Sequence, residues 1–239
     1  MKYVYYLSIG LCLTLVHSSC GKIELECERG DGDLETRNFD LPLFSGIELN
    51  MAADVFLTQG PFDAVTVEAQ SNIMDLMDLD IISGRLRIDT RRCVQKREKI
   101  TLFVTIPSID FLEINGAGNI YGQNNFTSGN LFLHIDGSGD MDLGLNADLI
   151  NAFVDGSGNF KVDGTCNRLD VQINGSGEFR SFDLISGEAE VEINGSGEAE
   201  VFVNNFLRVF IDGRGEVFFR GNPDVFESIR GRGGVINAN

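Results

Sequence analysis

In residues 135–141 the sequence reads Ile-Asp-Gly-Ser-Gly-Asp-Met, and this unit recurs through the second half of the chain. Seven copies of the unit, six with the pattern Ile/Val-Asn/Asp-Gly-x-Gly and a last one with Arg in the second place, begin at Ile114, Ile135, Val154, Ile173, Ile193, Ile211 and Ile229. Their spacings are 21, 19, 19, 20, 18 and 18 residues, so the period is close to 19. A nearly fixed period of this length is typical of a solenoid, in which each repeat packs against its neighbours.

The residues on either side of each unit alternate between apolar and polar side chains. The alternation precedes a unit in Leu131-Leu133-Ile135 and follows one in Phe160-Val162. A period of two is that of a β-strand with one buried face, and no helical period survives in this region. This excludes the ankyrin, leucine-rich and tetratricopeptide repeats. We predict an all-β fold, a parallel β-helix with about 19 residues per coil, wound right-handed as parallel crossovers almost always are.

Stacking of the coils at this period places equivalent residues of successive units above one another. The first residues of the units should form one inward apolar column. The second residues should form an outward or turn-facing ladder: Asn115, Asp136, Asp155, Asn174, Asn194 and Asp212. Asn and Asp suit this place because they tolerate tight bends and bond local amides. Arg230 and Arg232 break the pattern in the last unit, as expected where a stack ends and must avoid edge pairing.

The first half of the chain is a weaker version of the same design. Residues 49–55 align with the unit if Met51 and Ala53 replace the two glycines. We interpret the repeats as one domain with less regular early coils, and two domains divided near residue 108 are the alternative. The prediction divides the chain into a signal peptide (1–19), a lipid anchor, tether and N-terminal cap (20–38), and a β-helix domain (39–239) with irregular coils (39–110) and regular coils (111–239).

The N-terminus has the features of an export signal. The apolar stretch from Val4 to Val16 is short for a bilayer span but suits a secretory signal. The small residues before Cys20 resemble the lipobox of bacterial lipoproteins, although His17 stands where Leu is usual. We predict acylation of Cys20 and attachment to the membrane through this lipid, at the outer membrane or cell surface rather than free in the periplasm. An ordinary signal peptide with Cys20 unmodified is the alternative.

The composition of the chain limits which ligands and metal sites are possible. With 36 acidic and 19 basic residues the formal net charge is -17, so the chain lacks the cationic field that nucleic acid requires. Cys27, Cys93 and Cys166 are too dispersed for a zinc pattern; a disulfide such as Cys27–Cys93 suits an oxidising compartment, but the sequence does not decide it. The glycine units lack the nine-residue spacing of calcium rolls. We predict no metal site and no cofactor, and leave weak calcium binding open.

The Ile-Asn-Gly turns, the opening Cys27-Glu-Arg-Gly-Asp-Gly32, and the segments Phe44-Ser-Gly-Ile47 and Gly84-Arg-Leu86 resemble one family of secreted bacterial proteins. This is the putative auto-transporter adhesin, head GIN domain family, and the resemblance covers roughly residues 27–239. It implies a right-handed parallel β-helix similar in shape to the pectin-lyase group, without that group's catalytic residues, and a role in adhesion. The family offers no accepted site residues to transfer.

A β-helix also raises the prospect of an enzyme. Carboxylates one coil apart, such as Asp136 and Asp155, would be spaced like the pair of a retaining glycosidase. A catalytic pair should interrupt a repeat, however, and here every coil repeats the feature. His134 has no serine partner in a nucleophile-elbow context. We predict a non-enzymatic protein, and the alternative is a polysaccharide lyase or hydrolase that uses these ladder carboxylates.

One uneven feature lies on the outward side of the strands that precede the turns. Alternation predicts an outward cluster near one end of the stack: Phe111, Phe132, His134 and Phe153. Phe210 and Phe226 lie near the other end, and acids and amides occupy the coils between. Clustered aromatic side chains indicate a binding face for a protein or glycan partner, or a contact between copies. Burial beneath a loop or a packed neighbour is the alternative, and the absence of Trp leaves a sugar platform poorly supplied.

Overall fold

The computed structural model describes residues 27–95 and 97–239. The predicted signal peptide and the lipidation site at Cys20 lie outside the described residues. The N-terminal part contains the strands β1 (Glu28–Arg29), β2 (Leu34–Phe39), β3 (Gly46–Leu49), β4 (Asp54–Gln59) and β5 (Ala64–Gln70), the one-turn helix α1 (Ser71–Met74), and then β6 (Met77–Ile82), β7 (Arg85–Thr90), β8 (Val94–Gln95) and β9 (Thr101–Ile106).

The C-terminal part contains only strands among its regular elements. They are β10 (Phe111–Gly116), β11 (Asn119–Gly122), β12 (Phe126–Gly137), β13 (Asp140–Gly156), β14 (Asn159–Gly175), β15 (Glu178–Gly195), β16 (Glu198–Gly213), β17 (Glu216–Gly221), β18 (Asp224–Gly231) and β19 (Gly234–Asn237). Within the described part of the chain, no helix has the length and hydropathy needed to cross a membrane.

From β10 to β17 each strand pairs in parallel with the strand one coil later. The register places Ile135 beside Val154, Val154 beside Ile173, and Ile173 beside Ile193. The predicted fold class is confirmed: the chain forms a β-solenoid of about seven turns with about 19 residues per coil. Right-handed winding stays a prediction.

The inward column predicted from the first residue of each unit forms the centre of the core. Six members are at most 2% exposed: Ile114, Ile135, Val154, Ile173, Ile193 and Ile211. Ile229 has the same place in the last coil but is 38% exposed, because no further coil covers it. Phe126, Phe160 and Phe179 are fully buried and complete the interior. Each coil therefore depends on its neighbours for the burial of its apolar face.

The backbone conformation at the turns explains the first glycine of each unit. Gly175 has φ +133°, a backbone conformation that residues with a Cβ rarely adopt. A Cβ at this position would lie 2.2 Å from the carbonyl oxygen of Gly156 on the previous coil. That oxygen accepts a hydrogen bond of 2.9 Å from the backbone N–H of Ser176. The first glycine of the unit thus serves both the bend and the close approach of two coils.

In the early coils the order of the strands along the solenoid differs from their order in the sequence. β3 pairs in parallel with β10 on one side and with β7 on the other, so the coil that contains β3 lies between two segments that follow it in sequence. β4 lies in the same way between β11 and β9. The chain reaches this order through antiparallel strands, since β5 pairs with β2 and β9, and β6 pairs with β7. The alignment of residues 49–55 with the repeat unit is nevertheless in register, with Leu49 beside Ile114 and Val55 beside Ile120.

A covalent link fastens the start of the described chain. Cys27 and Cys93 form a disulfide, which the sequence left undecided, and β1 pairs in parallel with β8 directly after these cysteines. Cys166 is free and buried, and burial raises the pKa of its thiol to about 12. Cys166 is therefore unreactive as a nucleophile near neutral pH.

Candidate functional site

The strands that precede the turns share one outward surface, which we call the outward face. Parallel register arranges its side chains in three columns that run along the solenoid. The first column contains Arg85, Gly46, Phe111, Phe132 and Asn151; the second contains Glu48, Glu113, His134, Phe153 and Gln172; the third is the ladder of Asn and Asp residues. The three columns are adjacent because outward positions are two residues apart along each strand.

Three phenylalanines of the first two columns form a continuous group, which we call the aromatic stack. The rings of Phe111 and Phe132 are 5.2 Å apart with an interplanar angle of 2°, and those of Phe132 and Phe153 are 5.1 Å apart at 29°. Phe132 and Phe153 are half-buried, whereas Phe111 is only 8% exposed. The structure therefore brings together the residues predicted as an outward cluster, and it leaves two of the three rings open to a partner.

Phe111 is covered by a residue that the sequence did not single out. The guanidinium carbon of Arg85 lies 3.4 Å above the centre of the Phe111 ring. Gly46 separates the two residues in the register. A Cβ at Gly46 would lie 2.9 Å from the Cβ of Phe111 and 3.2 Å from the Cγ of Arg85, so the absence of a side chain there allows Arg85 to reach the ring. The stack is thus capped by a cation at the N-terminal end of the face.

His134 joins three consecutive coils beside the aromatic stack. Its Nδ1 lies 2.8 Å from a carboxylate oxygen of Glu113, and its Nε2 lies 2.9 Å from one of Asp155. Burial by itself lowers the pKa of His134, but the hydrogen bonds to the two carboxylates outweigh this effect and raise the pKa above its ordinary value. The imidazolium form satisfies both carboxylates, because it can donate from both ring nitrogens.

The turn ladder places its six members next to one another, coil after coil. Asn174 donates a hydrogen bond of 2.8 Å to Asp155, and Asn194 donates one of 3.1 Å to Asn174. At the end of the ladder, Arg230 pairs with Asp212 at 3.2 Å. The mixture of amides and carboxylates therefore gives the ladder donors as well as acceptors, which stabilises the stack.

The carboxylates proposed for an enzymatic alternative are in register, with Asp136 beside Asp155. The hydrogen bonds from Asn174 and His134 lower the pKa of Asp155. A general acid in glycoside hydrolysis needs a raised pKa, so this shift runs against that role. Among residues 27–95 and 97–239, no group of three or more His, Cys, Asp and Glu side chains is arranged to hold a metal ion.

A second column of carboxylates lies just after the turns. Glu178, Glu198 and Glu216 are neighbours in the register. Burial raises the pKa of Glu198, and the nearby charges of Glu178, Glu200 and Glu216 raise it further. The carboxylates of this column therefore repel one another, and Arg180, which pairs with Glu178, offsets part of their charge.

The opposite end of the outward face has a looser aromatic pair. The rings of Phe210 and Phe226 are 6.1 Å apart, and Phe226 is 50% exposed. The middle coils carry Gln172, Glu190 and Glu192 on the same face, which separates this pair from the aromatic stack. The two ends provide a matched comparison of similar side chains in different surroundings.

The fold and the outward face define an all-β solenoid with ladders of like side chains on its surface. The chain belongs to the family described as putative auto-transporter adhesin, head GIN domain, whose pattern matches residues 43–223. The resemblance inferred from the turns and the early segments is thereby confirmed. No curated protein is similar enough to this sequence to count as a relative.

Several solved structures share the fold. A putative adhesin from Bacteroides fragilis NCTC 9343 superposes with a TM-score of 0.82 at 21% identity, over 87% of this chain and 99% of that one. A putative lipid binding protein from Parabacteroides distasonis ATCC 8503 gives 0.75 at 22% identity, over 89% and 100%. A putative adhesin from Parabacteroides merdae ATCC 43184 gives 0.74 at 20% identity, over 88% and 98%.

Proposed function

We propose that the protein is a non-enzymatic, lipid-anchored adhesin of the cell envelope that binds a protein or glycan partner through the aromatic stack. The family to which the chain belongs supports the adhesive role. The rigid solenoid also supports this role, because hydrogen-bonded coils hold the backbone that carries the outward side chains in place. Binding of a partner then costs less conformational entropy.

The observation that carries this proposal is the break in the outward ladders at the aromatic stack. In the middle coils the face consists of charged and amide side chains, several of which pair with one another along the solenoid. At Phe132 and Phe153, large apolar rings are partly exposed, and their centres are 5.1 Å apart. Exposed apolar patches on a polar surface are typical of sites where a partner docks, and aromatic side chains dominate the energy of such sites.

The attachment to the envelope rests on the N-terminal sequence and on the cysteines. Acylation of Cys20 would tether the solenoid to a membrane, and residues 21–26 would separate the lipid from the disulfide at Cys27. A disulfide between Cys27 and Cys93 supports a location outside the reducing cytoplasm. We place the protein at the outer membrane or the cell surface, where the outward face can meet a partner.

The proposal predicts that the double variant Phe132→Ser/Phe153→Ser loses adhesion while it keeps the fold. Both rings are outward and half-buried, so their removal leaves the inward column intact. We expect binding to fall at least about tenfold, since hot-spot side chains are worth about 2 kcal/mol or more. The measurement is the binding of the purified protein to immobilised mucin, extracellular-matrix proteins and whole bacterial cells, with circular dichroism to check the fold.

The matched control is Phe210→Ser/Phe226→Ser. This variant also removes two phenylalanine side chains from the outward face, but at its other end. Adhesion should stay within about twofold of the unchanged protein in the control. Equal losses in both double variants would refute a binding site localised at the aromatic stack, and unchanged adhesion in Phe132→Ser/Phe153→Ser would refute the stack as the contact.

A further inference from the structure

An open cleft lies at the N-terminal end of the outward face, beside the aromatic stack. Its volume is about 410 Å³, and its walls include Ser45, Ser83, Arg85, Asp110, Phe111 and Phe132. Sites for small molecules commonly measure about 300–1,000 Å³. Four segments that are distant in sequence build the cleft, and it exists only because β3 lies between β7 and β10.

The backbone beneath the cleft is already paired. The N–H of Ser45 donates to the backbone carbonyl of Gly84 at 2.9 Å. The N–H of Asp110 donates to the backbone carbonyl of Ser45 at 2.9 Å, and the N–H of Phe132 donates to that of Asp110 at 3.0 Å. A peptide could not add itself here as another strand, because these backbone groups are taken. Any ligand must be recognised by the side chains.

The side chain of Arg85 has unused hydrogen-bonding capacity. No carboxylate of the described residues pairs with its guanidinium, whereas Arg87 on the same strand pairs with Asp78 and Asp80. Phe111 supports one face of the guanidinium at 3.4 Å, and the residue is exposed. A guanidinium packed over an aromatic ring can still direct its N–H groups outward, and such groups bind a carboxylate through two parallel hydrogen bonds.

The other walls of the cleft suit hydroxyl groups and an apolar ring face. Asp110 accepts a hydrogen bond of 2.8 Å from the hydroxyl of Ser45, and its carboxylate retains further acceptor sites. Ser83 adds a second hydroxyl at the rim. Phe132 supplies a partly exposed aromatic face on which a sugar ring can pack, a role for which the chain has no Trp.

We infer that this cleft binds a carboxylated sugar, a uronic acid residue of a glycan. Arg85 binds the carboxylate through hydrogen bonds of its guanidinium. Asp110 and the two serines bind ring hydroxyls, and Phe132 packs against the apolar face of the sugar ring. The inference rests on the proposed adhesive function and specifies its ligand class. It favours a sugar over an acidic peptide because the cleft offers hydroxyl-binding side chains and no free backbone edge.

The net charge of the chain does not oppose this assignment at short range. The formal charge of -17 is spread over the whole sequence. At physiological ionic strength the Debye length is about 8 Å, so carboxylates in the middle and C-terminal coils are screened from the cleft. Direct contact with Arg85 therefore outweighs those distant charges for a bound carboxylate.

The test compares acids with their neutral esters. Trigalacturonic acid and methyl β-glucuronide are titrated by calorimetry into the full protein, each beside its methyl ester, which keeps the ring and removes the charge. We expect at least one acid to bind about tenfold to a hundredfold more tightly than its ester, the range for hydrogen bonds to charged groups. Arg85→Gln should abolish this preference, and Arg37→Gln, a substitution on β2, should preserve it.

Three results would overturn the inference. The first is an equal affinity for acid and ester, or no binding of either acid at millimolar concentration. The second is an acid preference that survives Arg85→Gln. The third is tighter binding of the peptide acetyl-Phe-Glu-amide than of both sugar acids. If adhesion still depends on Phe132 and Phe153 in any of these cases, the proposed function stands and only the ligand class is wrong.

Discussion

Gly175→Val should lower the free energy of unfolding by more than about 4 kcal/mol and leave much of the protein unfolded or aggregated at 37 °C. The Val side chain would meet two obstacles at once. Its Cβ would lie 2.2 Å from the carbonyl oxygen of Gly156, and φ at this residue is +133°, which a β-branched residue avoids. Backbone on the neighbouring coil cannot move aside without breaking the hydrogen bond from Ser176.

Gly129→Val is the matched control for this prediction. Gly129 lies in β12 and is exposed, and a Cβ added there would have no atom beyond its chain neighbours within 4 Å. The same substitution should change stability by less than about 1 kcal/mol there, because Val is favoured in strands. Urea denaturation followed by circular dichroism gives both values. Similar losses in the two variants would show that the turn glycines are not required by the contact between coils.

Phe160→Ala should destabilise the protein by about 3–5 kcal/mol, the usual loss when a buried aromatic side chain is truncated. Phe160 is fully buried, and its ring lies 5.7 Å from that of Phe179 one coil later. Both sides of the missing ring would lose contacts, and neighbouring coils are held in register by backbone hydrogen bonds that limit collapse into the cavity. The same denaturation measurement applies.

Phe210→Ala is the corresponding control on the outward face. Phe210 is half-buried, and its ring contact is with Phe226 at 6.1 Å. We expect a loss of no more than about 1.5 kcal/mol, the scale of an aromatic pair. If Phe210→Ala destabilised the protein as much as Phe160→Ala, the assignment of inward and outward positions by strand alternation would be contradicted.

The regular coils could be predicted from the sequence because period and alternation are local signals. The glycines require a bend about every 19 residues, and alternation then fixes which side chains point inward. These two facts place Phe132 and Phe153 on the same outward surface without any knowledge of the fold, and they also predict the ladder from Asn115 to Asp212. The structure agrees at each of these positions.

The order of the early coils could not be predicted, because nothing local records which distant segments pair. β7 occupies the far side of β3 through a hairpin with β6, whose turn contains Ser83 and Gly84 at positive φ. Arg85 thus comes to cover Phe111 across 26 residues of sequence. The cleft and the burial of Phe111 follow from this placement, and the repeat period alone predicts neither of them. The pairing of Cys27 with Cys93 was undecided for the same reason.

The central claim is that each lap of about 19 residues lies directly upon the previous one, and distances between spin labels test it most directly. Labels would be attached to Ser138→Cys paired in turn with Ser196→Cys, Arg214→Cys and Arg232→Cys, with the other unpaired cysteines replaced by Ala. All four positions are exposed and equivalent in the repeat. At about 4.8 Å per coil, backbone separations of about 14, 19 and 24 Å are expected. Distances that rise steadily across the three pairs would support the stack, and a third distance equal to or shorter than the first would contradict it.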